Sequence, residues 1–496
     1  MNEIMFSEGG HLTLERGGCR PSSLENVVAV IQSPTAGYGP MPQPVPAPEL
    51  TSGECRTVAQ ATLRELFRIW GLDLQSLGSR QWNPLGAFIR PGSRVVLKPN
   101  WVLHRNKSGQ GIDCLLTHAS LIKAVLEYVA LAHPRSVVVG DAPVQGCDFE
   151  ALRRACGLST LAEVCRGRGF DVAIVDFRRT LLPGEKLGRT RIENHRGMEN
   201  FVLFDMKGES LLEPLASDAG KFRVTMYNPE LMWKTHAPGR HQYLIAREVV
   251  EADVVINLPK LKCHKKAGIT GALKNLVGIN GNKEYLPHHR RGGTADGGDC
   301  YPGKSWLKEK AESLLDVANR REPGLVQGLL GRCAHLLRGS AWMLGADDNL
   351  EGSWHGNDTV WRTSLDLQRI LRYGHEDGTL RETPQRSVIS ITDAIVAGEG
   401  EGPMAPRPVK AGFLTGALNP AAADWVHARL MGFDPYKIPL VREAFTDFKY
   451  PLTTFEPSAV RVCMVDRVQH VDEIRPFNAR VFLPPKGWRG HCELDF

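Results

Sequence analysis

Apolar residues fall along this chain in two alternating rhythms. Short unbroken runs appear in "NVVAVIQS" (26–33), "SRVVLKPNW" (93–101), "RSVVVGDAP" (135–143), "FDVAIVDF" (170–177), "EADVVINLPKL" (251–261) and the start of "SVISITDAIVAGEGEGP" (387–403). Runs of this length, rich in β-branched residues and closed by polar turns, predict strands buried on both faces. Between them lie segments with apolar residues at helical spacing. "ECRTVAQATLRELFRIWG" stops at Gly71, "THASLIKAVLEYVALA" has Thr117 in the N-cap position, and "FEALRRACGLSTLAEVCRGRG" and "LNPAAADWVHARLMGFD" follow. Strand and helix joined by short links predict an α/β fold. Its sheet is mostly parallel with helices on both faces, and a second, smaller α/β region follows.

The same pattern divides the chain. Residues 1–25 are polar and Gly-rich, the signature of a flexible N-terminal arm. Residues 26–305 form the main α/β domain, interrupted at about 178–245 by a polar insertion with some antiparallel strands. A helical segment spans 306–360, and 361–496 is the C-terminal α/β region. Within the helical segment, "GLVQGLLGRCAHLLRGSAWMLG" is amphipathic, with Arg332 and Arg338 on its polar side. A core helix, or the contact of a homodimer, is preferred over a helix lying on a membrane surface.

Composition narrows the function classes. At 496 residues, 42% hydrophobic and 23% charged, the chain is globular and long enough for large cores. A net charge of +6 is too mild for nucleic acid, and no segment interleaves basic with aromatic residues; it slightly favours an anionic small ligand. The 11 cysteines include no Cys-x-x-Cys pair, which fits reduced thiols and a cytoplasmic protein. The first residues lack a basic leader and an apolar core, and no window of 18 apolar residues occurs, so neither a signal peptide nor a transmembrane helix is expected.

Ligands of open α/β sheets bind where the strands end. Here those ends carry Lys98 and Asn100, then Asp141, then Asn257, Lys260, Lys262 and His264, then Asp393, Glu399 and Glu401. Each alone is an ordinary polar loop tip; four together favour a site. "HKKAGITGALKN" (264–275) follows directly. Thr270 and Gly271 open a short helix whose free N–H groups favour an anion, although the spacing is not that of a P-loop. Lys274 lies one turn on, among Leu273, Leu276 and Val277, where partial burial lowers a lysine pKa. Its alternative is a surface lysine. His264, His288 and His289, with Asp296 and Asp299 nearby, are N and O ligands for a divalent metal, without any zinc spacing. The alternative is a basic loop over 281–305, hinged on Gly292, Gly293, Gly297 and Gly298, that closes over substrate. In "EGSWHGNDTVWRTSLDLQRI", Asn357-Asp358 reads as an N-cap with its turn, while Trp354 and His355 have the makings of a pocket wall.

"VVLKPNW", "THASLIKAVLEYV", "VVVGDAP", "EADVVINLPKLKCHKKAGITGALKNLVGI" and "ITDAIVAGEGEGP" with "LNPAAADWVHARLMGFDP" occur in that order. Together they resemble the family called domain of unknown function 362, over about 94 to 442. Many members carry iron–sulfur motifs; no Cys-x-x-Cys-x-x-Cys run exists here, so no iron–sulfur cluster carries over. "HKKAGITGALK" is also similar to a motif of the nickel-dependent lactate racemase family, H-x-x-A-G-[FY]-S-G-G-x-K. There the lysine anchors a nickel-pincer nucleotide, and histidines bind metal or do acid–base work on a 2-hydroxy acid. His264 and Lys274 match; Ile269-Thr270 and Ala272 depart, and no later histidine aligns, His288 and His289 being only near it. The resemblance implies a lysine-centred pocket, and the nickel cofactor is not carried over.

The expectation is an enzyme acting on a small anionic, oxygen-rich substrate such as a carboxylate, sugar or phosphate. The reaction is proton or hydride transfer at carbon, of isomerase or racemase type. His264 is the acid–base group and Lys274 the base, nucleophile or cofactor anchor. Lys98, Lys260 and Lys262 hold the anion, Asn100, Thr270 and Asn275 contact substrate, and Asp141 and Glu399 orient cations or hydroxyls. The rival is a non-catalytic ligand- or metal-binding protein serving envelope polysaccharide or cofactor biosynthesis.

Overall fold

The computed structural model describes residues 5–6, 12–13, 24–50, 52–158, 165, 171–182, 192–225, 227–322, 324–343, 350–465 and 467–495. The arm expected at 1–25 and the second half of the helix expected at 149–169 lie largely outside these residues.

One 12-stranded sheet organises the molecule. In chain order its strands are β1 (Val27–Gln32), β2 (Arg94–Pro99), β3 (Ser136–Asp141), β4 (Val172–Asp176), β5 (Val254–Leu258), β6 (Lys260–His264), β7 (Gly268–Thr270), β8 (Ser387–Glu401), β9 (Ala405–Val409), β10 (Phe413–Ala417), β11 (Arg461–Cys463) and β12 (Val468–His470). Nine of them run across the sheet as β12-β11-β1-β10-β8-β5-β2-β3-β4, while β6 pairs with β7 and β8, and β9 with β8. Strands β4, β3, β2, β5 and β8 are mutually parallel, and β10 is antiparallel to both β8 and β1. The strands after residue 387 thus complete the sheet that the first half of the chain begins.

Alternation explains why the strands read as continuous apolar runs. Val95 and Leu97 of β2, Val254 and Ile256 of β5, and Ile389 and Ile391 of β8 pack in one core with α1 (Val58–Ile69) and α2 (Ala119–Leu131). Val96 and Val255, one residue out of phase, face the opposite core. There they meet Leu367 and Ile370 of a helix over Val360–Tyr373, and the antiparallel strands Phe201–Asp205 and Arg240–Ala246. On the same side, Val28, Val30 and Phe413 pack with the helix Pro420–Leu430.

Several local expectations change. Thr117 does not cap α2; His118 does, accepting from Ser120 N–H at 3.2 Å. Thr117 instead accepts from Asn100 N–H (2.8 Å) and donates to Leu258 O (2.6 Å), tying β2 to β5. The Gly-rich run 398–402, expected as loop, belongs mostly to β8. A Cβ on Gly398 would lie 2.8 Å from the Lys262 Cβ and 2.9 Å from Cys114 O, so glycine is what lets β8 approach β6. Of the Asn357-Asp358 pair it is Asn357 whose side chain caps the helix, accepting from Thr359 and Val360 N–H at 3.0 and 2.9 Å. The amphipathic segment is a helix over Leu325–Met343, but Leu325, Leu329, Leu336 and Met343 remain exposed on it, so this stripe is not core.

Candidate active site

β6 and β7 form a tight hairpin in which His264 faces Gly268 and Lys262 faces Thr270. The chain then enters a single helical turn, Ala272–Asn275. The turn's N-terminal amides are not free for a ligand: the carboxylate of Asp424 accepts from Ala272 N–H (2.6 Å) and Leu273 N–H (2.9 Å). Gly271 is required beside it, since a Cβ there would sit 2.0 Å from the Asp424 carboxylate. The anion site expected at this turn is therefore filled by the protein's own side chain.

What the turn does is aim Lys274 into a cavity of about 560 Å³. Asn100, Asp141, His264, Thr270, Asn275, Lys283, His288 and Glu351 share its wall. The cavity opens where β2, β3 and β6 end, the place the parallel topology dictates. Lys274 and Lys283 have no hydrogen-bond or ion-pair partner among the described residues. Burial, reinforced by Lys283, Lys266 and Lys98, pushes the Lys274 ammonium down to about 7. Burial likewise pushes Lys283 down to about 8, with Asp141 opposing. The Thr270 hydroxyl is buried on the same wall without a partner.

The two cavity histidines are neutral, and their partners fix opposite tautomers. Nδ1 of His264 accepts from the backbone N–H groups of Lys266 and Ala267, both at 3.1 Å, so its proton is on Nε2. Nδ1 of His288 lies 2.6 Å from Leu286 O. A carbonyl only accepts, so this Nδ1 carries the proton and Nε2 keeps its lone pair. Burial first, then Lys274 and each other, hold His264 well below the ordinary histidine range. Burial, Lys266 and Lys274 do the same to His288. The result is one ring N–H donor and one ring base.

Under the floor lies a buried polar network. Lys98 donates to Pro99 O (2.7 Å) and Asn275 Oδ1 (3.2 Å), and pairs with Asp141 Oδ1 at 2.8 Å. Burial pushes both members of this pair toward neutrality, and their mutual attraction opposes it. Asp141 also accepts from Trp101 N–H at 2.6 Å. Asn275 joins Asn100 (2.8 Å) and Asn257 (2.7 Å). Gly278 passes directly over the pair: a Cβ there would lie 1.9 Å from Asp141 Oδ1.

The other expected anion holders lie elsewhere. Lys98, Lys260 and Lys262 have no exposed surface. Lys260 donates to Asp393 (2.7 Å), Tyr38 Oη (2.5 Å) and Val396 O (3.2 Å). Lys262 donates to Asn100 Oδ1 (2.5 Å) and to Leu115 O. None has an ammonium left for a ligand. Glu399 is remote from the cavity, held by Arg480 (2.8 Å) and Leu483 N–H (3.0 Å). Trp354 is buried and donates to Asp299 O at 3.0 Å.

A metal held by His264, His288 and His289 does not fit. The His264 lone pair is consumed by two amides, and His289 points away from the cavity that the other two line. The loop 281–305 does border the cavity through Lys283 and His288, but it is fastened rather than free. His289–Arg290 pairs with Phe222–Arg223, and Asp299 accepts from Arg290 N–H, Asp358 N–H and Thr359 Oγ1. Lys283, Lys266 and Glu351 were not among the expected site residues. Lys266 stood inside the "HKK" run, and its signal was density of charge; Lys283 and Glu351 had none in the linear pattern.

Among known proteins, a thylakoid-associated protein of Synechocystis, sll1697, is 24% identical over 360 residues, covering 72% of this chain and 68% of its own length. Of solved structures, a protein from Thermotoga maritima superposes at a TM-score of 0.29 with 12% identity, covering 74% of this chain and 57% of that one. The lactate racemase apoprotein from Thermoanaerobacterium thermosaccharolyticum gives 0.25 with 10% identity, covering 74% and 55%. The chain thus spans little more than half the length of either solved protein. No helix among the described residues is long and apolar enough to cross a membrane. Residues 212–429, which hold the β6–β7 hairpin, Lys274, Lys283 and both cavity histidines, match the model for Domain of unknown function (DUF362).

Proposed function

We propose that the chain is an enzyme that binds a small carboxylate-bearing, oxygen-rich substrate and moves a proton at the carbon beside the carboxylate, as isomerases and racemases do. The observation that carries this reading is the pair of unpartnered amines on one cavity wall, the buried Lys274 and the half-buried Lys283. A bound carboxylate supplies their missing counter-charge and draws their protons back.

The two imidazoles and Lys274 supply the chemistry. Nε2 of His288 has a lone pair to take a proton from carbon, the Lys274 ammonium, reprotonated when the carboxylate binds, has a proton to return, and Nε2–H of His264 donates a hydrogen bond to the substrate. The electron pair left on carbon spreads into the carboxylate as an enediolate, whose charge the two ammonium groups stabilise. One proton leaves, one returns, and the product is an isomer. Thr270 Oγ1 offers the substrate a hydroxyl that the protein leaves unused. A purely ligand-binding protein would have use for the lysines but not for two opposed tautomers, which favours the enzyme.

The test has two readouts. Small carboxylates, 2-hydroxy acids first, should raise the melting temperature of the wild-type chain but not of Lys274→Met/Lys283→Met. In D2O, the substrate's carbon-bound hydrogen should exchange with wild type and not with His288→Gln, which still binds. Stabilisation that persists in the double lysine variant would overturn the reading.

A further inference from the structure

The chain alternates across residues 288–289, so the neighbouring histidine enters a different chamber. His288 lines the first cavity, while His289 lines a second, of about 490 Å³, with Glu312. The chambers share Leu182, Val224, Thr225 and Glu351 as a common wall. At the second cavity a ring nitrogen of His289, the thiol of Cys300 and a carboxylate oxygen of Glu312 lie within 4.8 Å of one another.

We propose that His289, Cys300 and Glu312 are the protein ligands of a divalent transition metal, with zinc the best match. The donor set is one nitrogen, one sulfur and one oxygen, the mixture that borderline-soft zinc takes and that magnesium and calcium do not. All three residues are buried. Nδ1 of His289 is buried without a hydrogen-bond partner, a cost that a metal bond would remove. Around tetrahedral zinc, bonds of about 2.0–2.3 Å put ligand atoms about 3.5 Å apart, so small side-chain rotations close the present spacing.

The surroundings support the same assignment. Glu312 accepts from Gly292 N–H at 3.1 Å and Cys300 Sγ accepts from Glu351 N–H at 3.1 Å, so backbone amides orient two of the three ligands. Burial, with Glu312 beside it, holds the Cys300 thiol well above the ordinary range, and burial raises Glu312. Metal binding takes the thiolate form of Cys300, and the thiol proton leaves to solvent. Lys266 and Arg338 oppose a cation here, and Glu351, ion-paired with Arg338 at 3.2 Å, offsets them. Three protein ligands leave a fourth position. Arg223, Arg291 and Arg338 in the cavity wall suit it to water or an anionic group.

The experiment uses the full chain, stripped with a chelator and reloaded with Zn2+ or Co2+ alone. Wild type should take up one equivalent, and the cobalt form should show a thiolate-to-metal charge-transfer band. Cys300→Ser should lose that band. His289→Gln and Glu312→Gln should weaken binding by at least about tenfold, and His288→Gln should bind as wild type does. Circular dichroism confirms that each variant is folded. Glu312→Gln keeps an acceptor for Gly292 and serves if the others fail to fold. No uptake by wild type, bound cobalt without the band, or unchanged binding in folded His289→Gln or Glu312→Gln would each overturn the proposal.

Discussion

Lys98, Lys260, Lys274 and Lys283 divide into two kinds. Lys98 and Lys260 each meet a carboxylate and two further oxygens. Lys274 and Lys283 meet no acceptor among the described residues and face a cavity instead. In the sequence Lys98, Lys260 and Lys274 have the same look, a lysine at or near a strand end, and Lys283 carries no mark at all. The difference is where the counter-charge comes from. For Lys98 and Lys260 it comes from the next strands of the sheet, Asp141 at the end of β3 and Asp393 in β8, which makes these lysines rivets between strands. For the other pair it must come from outside, which is what a binding site is.

The largest expected effect comes from breaking a rivet. Lys98→Met leaves Asp141 buried without its cation, and Lys260→Met does the same to Asp393. Each should cost about 3–5 kcal/mol of stability, measured by chemical denaturation. Lys274→Met removes an amine that has no partner to orphan, and should cost less than about 1 kcal/mol at neutral pH while abolishing carboxylate binding. Equal losses from Lys98→Met and Lys274→Met would erase the distinction between the two kinds.

The second effect is a dependence on pH. Lys274 is held at about 7 in the folded protein against 10.5 when free. Between those values the unfolded chain holds a proton that the native one lacks, so stability rises with pH across this window. One such group contributes a slope of up to about 1.4 kcal/mol per pH unit. Below pH 7 the group is charged in both states, and the burial penalty is fully present. Lys274→Met should flatten this slope. Bound carboxylate should flatten it too, by restoring the proton. A wild-type curve with no more slope than the variant's would show that Lys274 stays charged.

How far the sequence could be read follows the range of the interactions. The parallel strands were legible because burial on both faces leaves a local mark, an unbroken apolar run. The cavity wall was partly legible: His264, Thr270 and Lys274 lie in one dense motif, and Asn100 and Asp141 at strand ends. What escaped depends on distant partners. The helical turn after Gly271 looks open to an anion until Asp424, some 150 residues on, is seen to fill it. The Gly398–Gly402 run looks like a loop until β6 is seen pressed against it. His288 and His289 look like a pair until strand alternation sends them into different chambers. No linear pattern records these encounters.

The smallest expected effect carries the same comparison down to hydroxyls. Thr117 and Thr270 are both buried threonines near the strand ends. Thr117 Oγ1 accepts from Asn100 N–H and donates to Leu258 O, whereas Thr270 Oγ1 has no partner and faces the cavity. Thr117→Val leaves one amide and one carbonyl unsatisfied in the interior, and should cost about 1–3 kcal/mol. Thr270→Val removes a hydroxyl already paying for burial and puts a methyl of the same shape in its place. It should leave stability within about 0.5 kcal/mol of wild type, or raise it. If the cavity holds the proposed oxygen-rich substrate, the cost should appear only on binding, as a loss of about tenfold or less in affinity. A Thr270→Val protein that melts lower and binds carboxylates unchanged would mean that this hydroxyl serves the fold. Thr270 would then join Thr117, and the cavity would lose one of the features that mark it as built for a ligand.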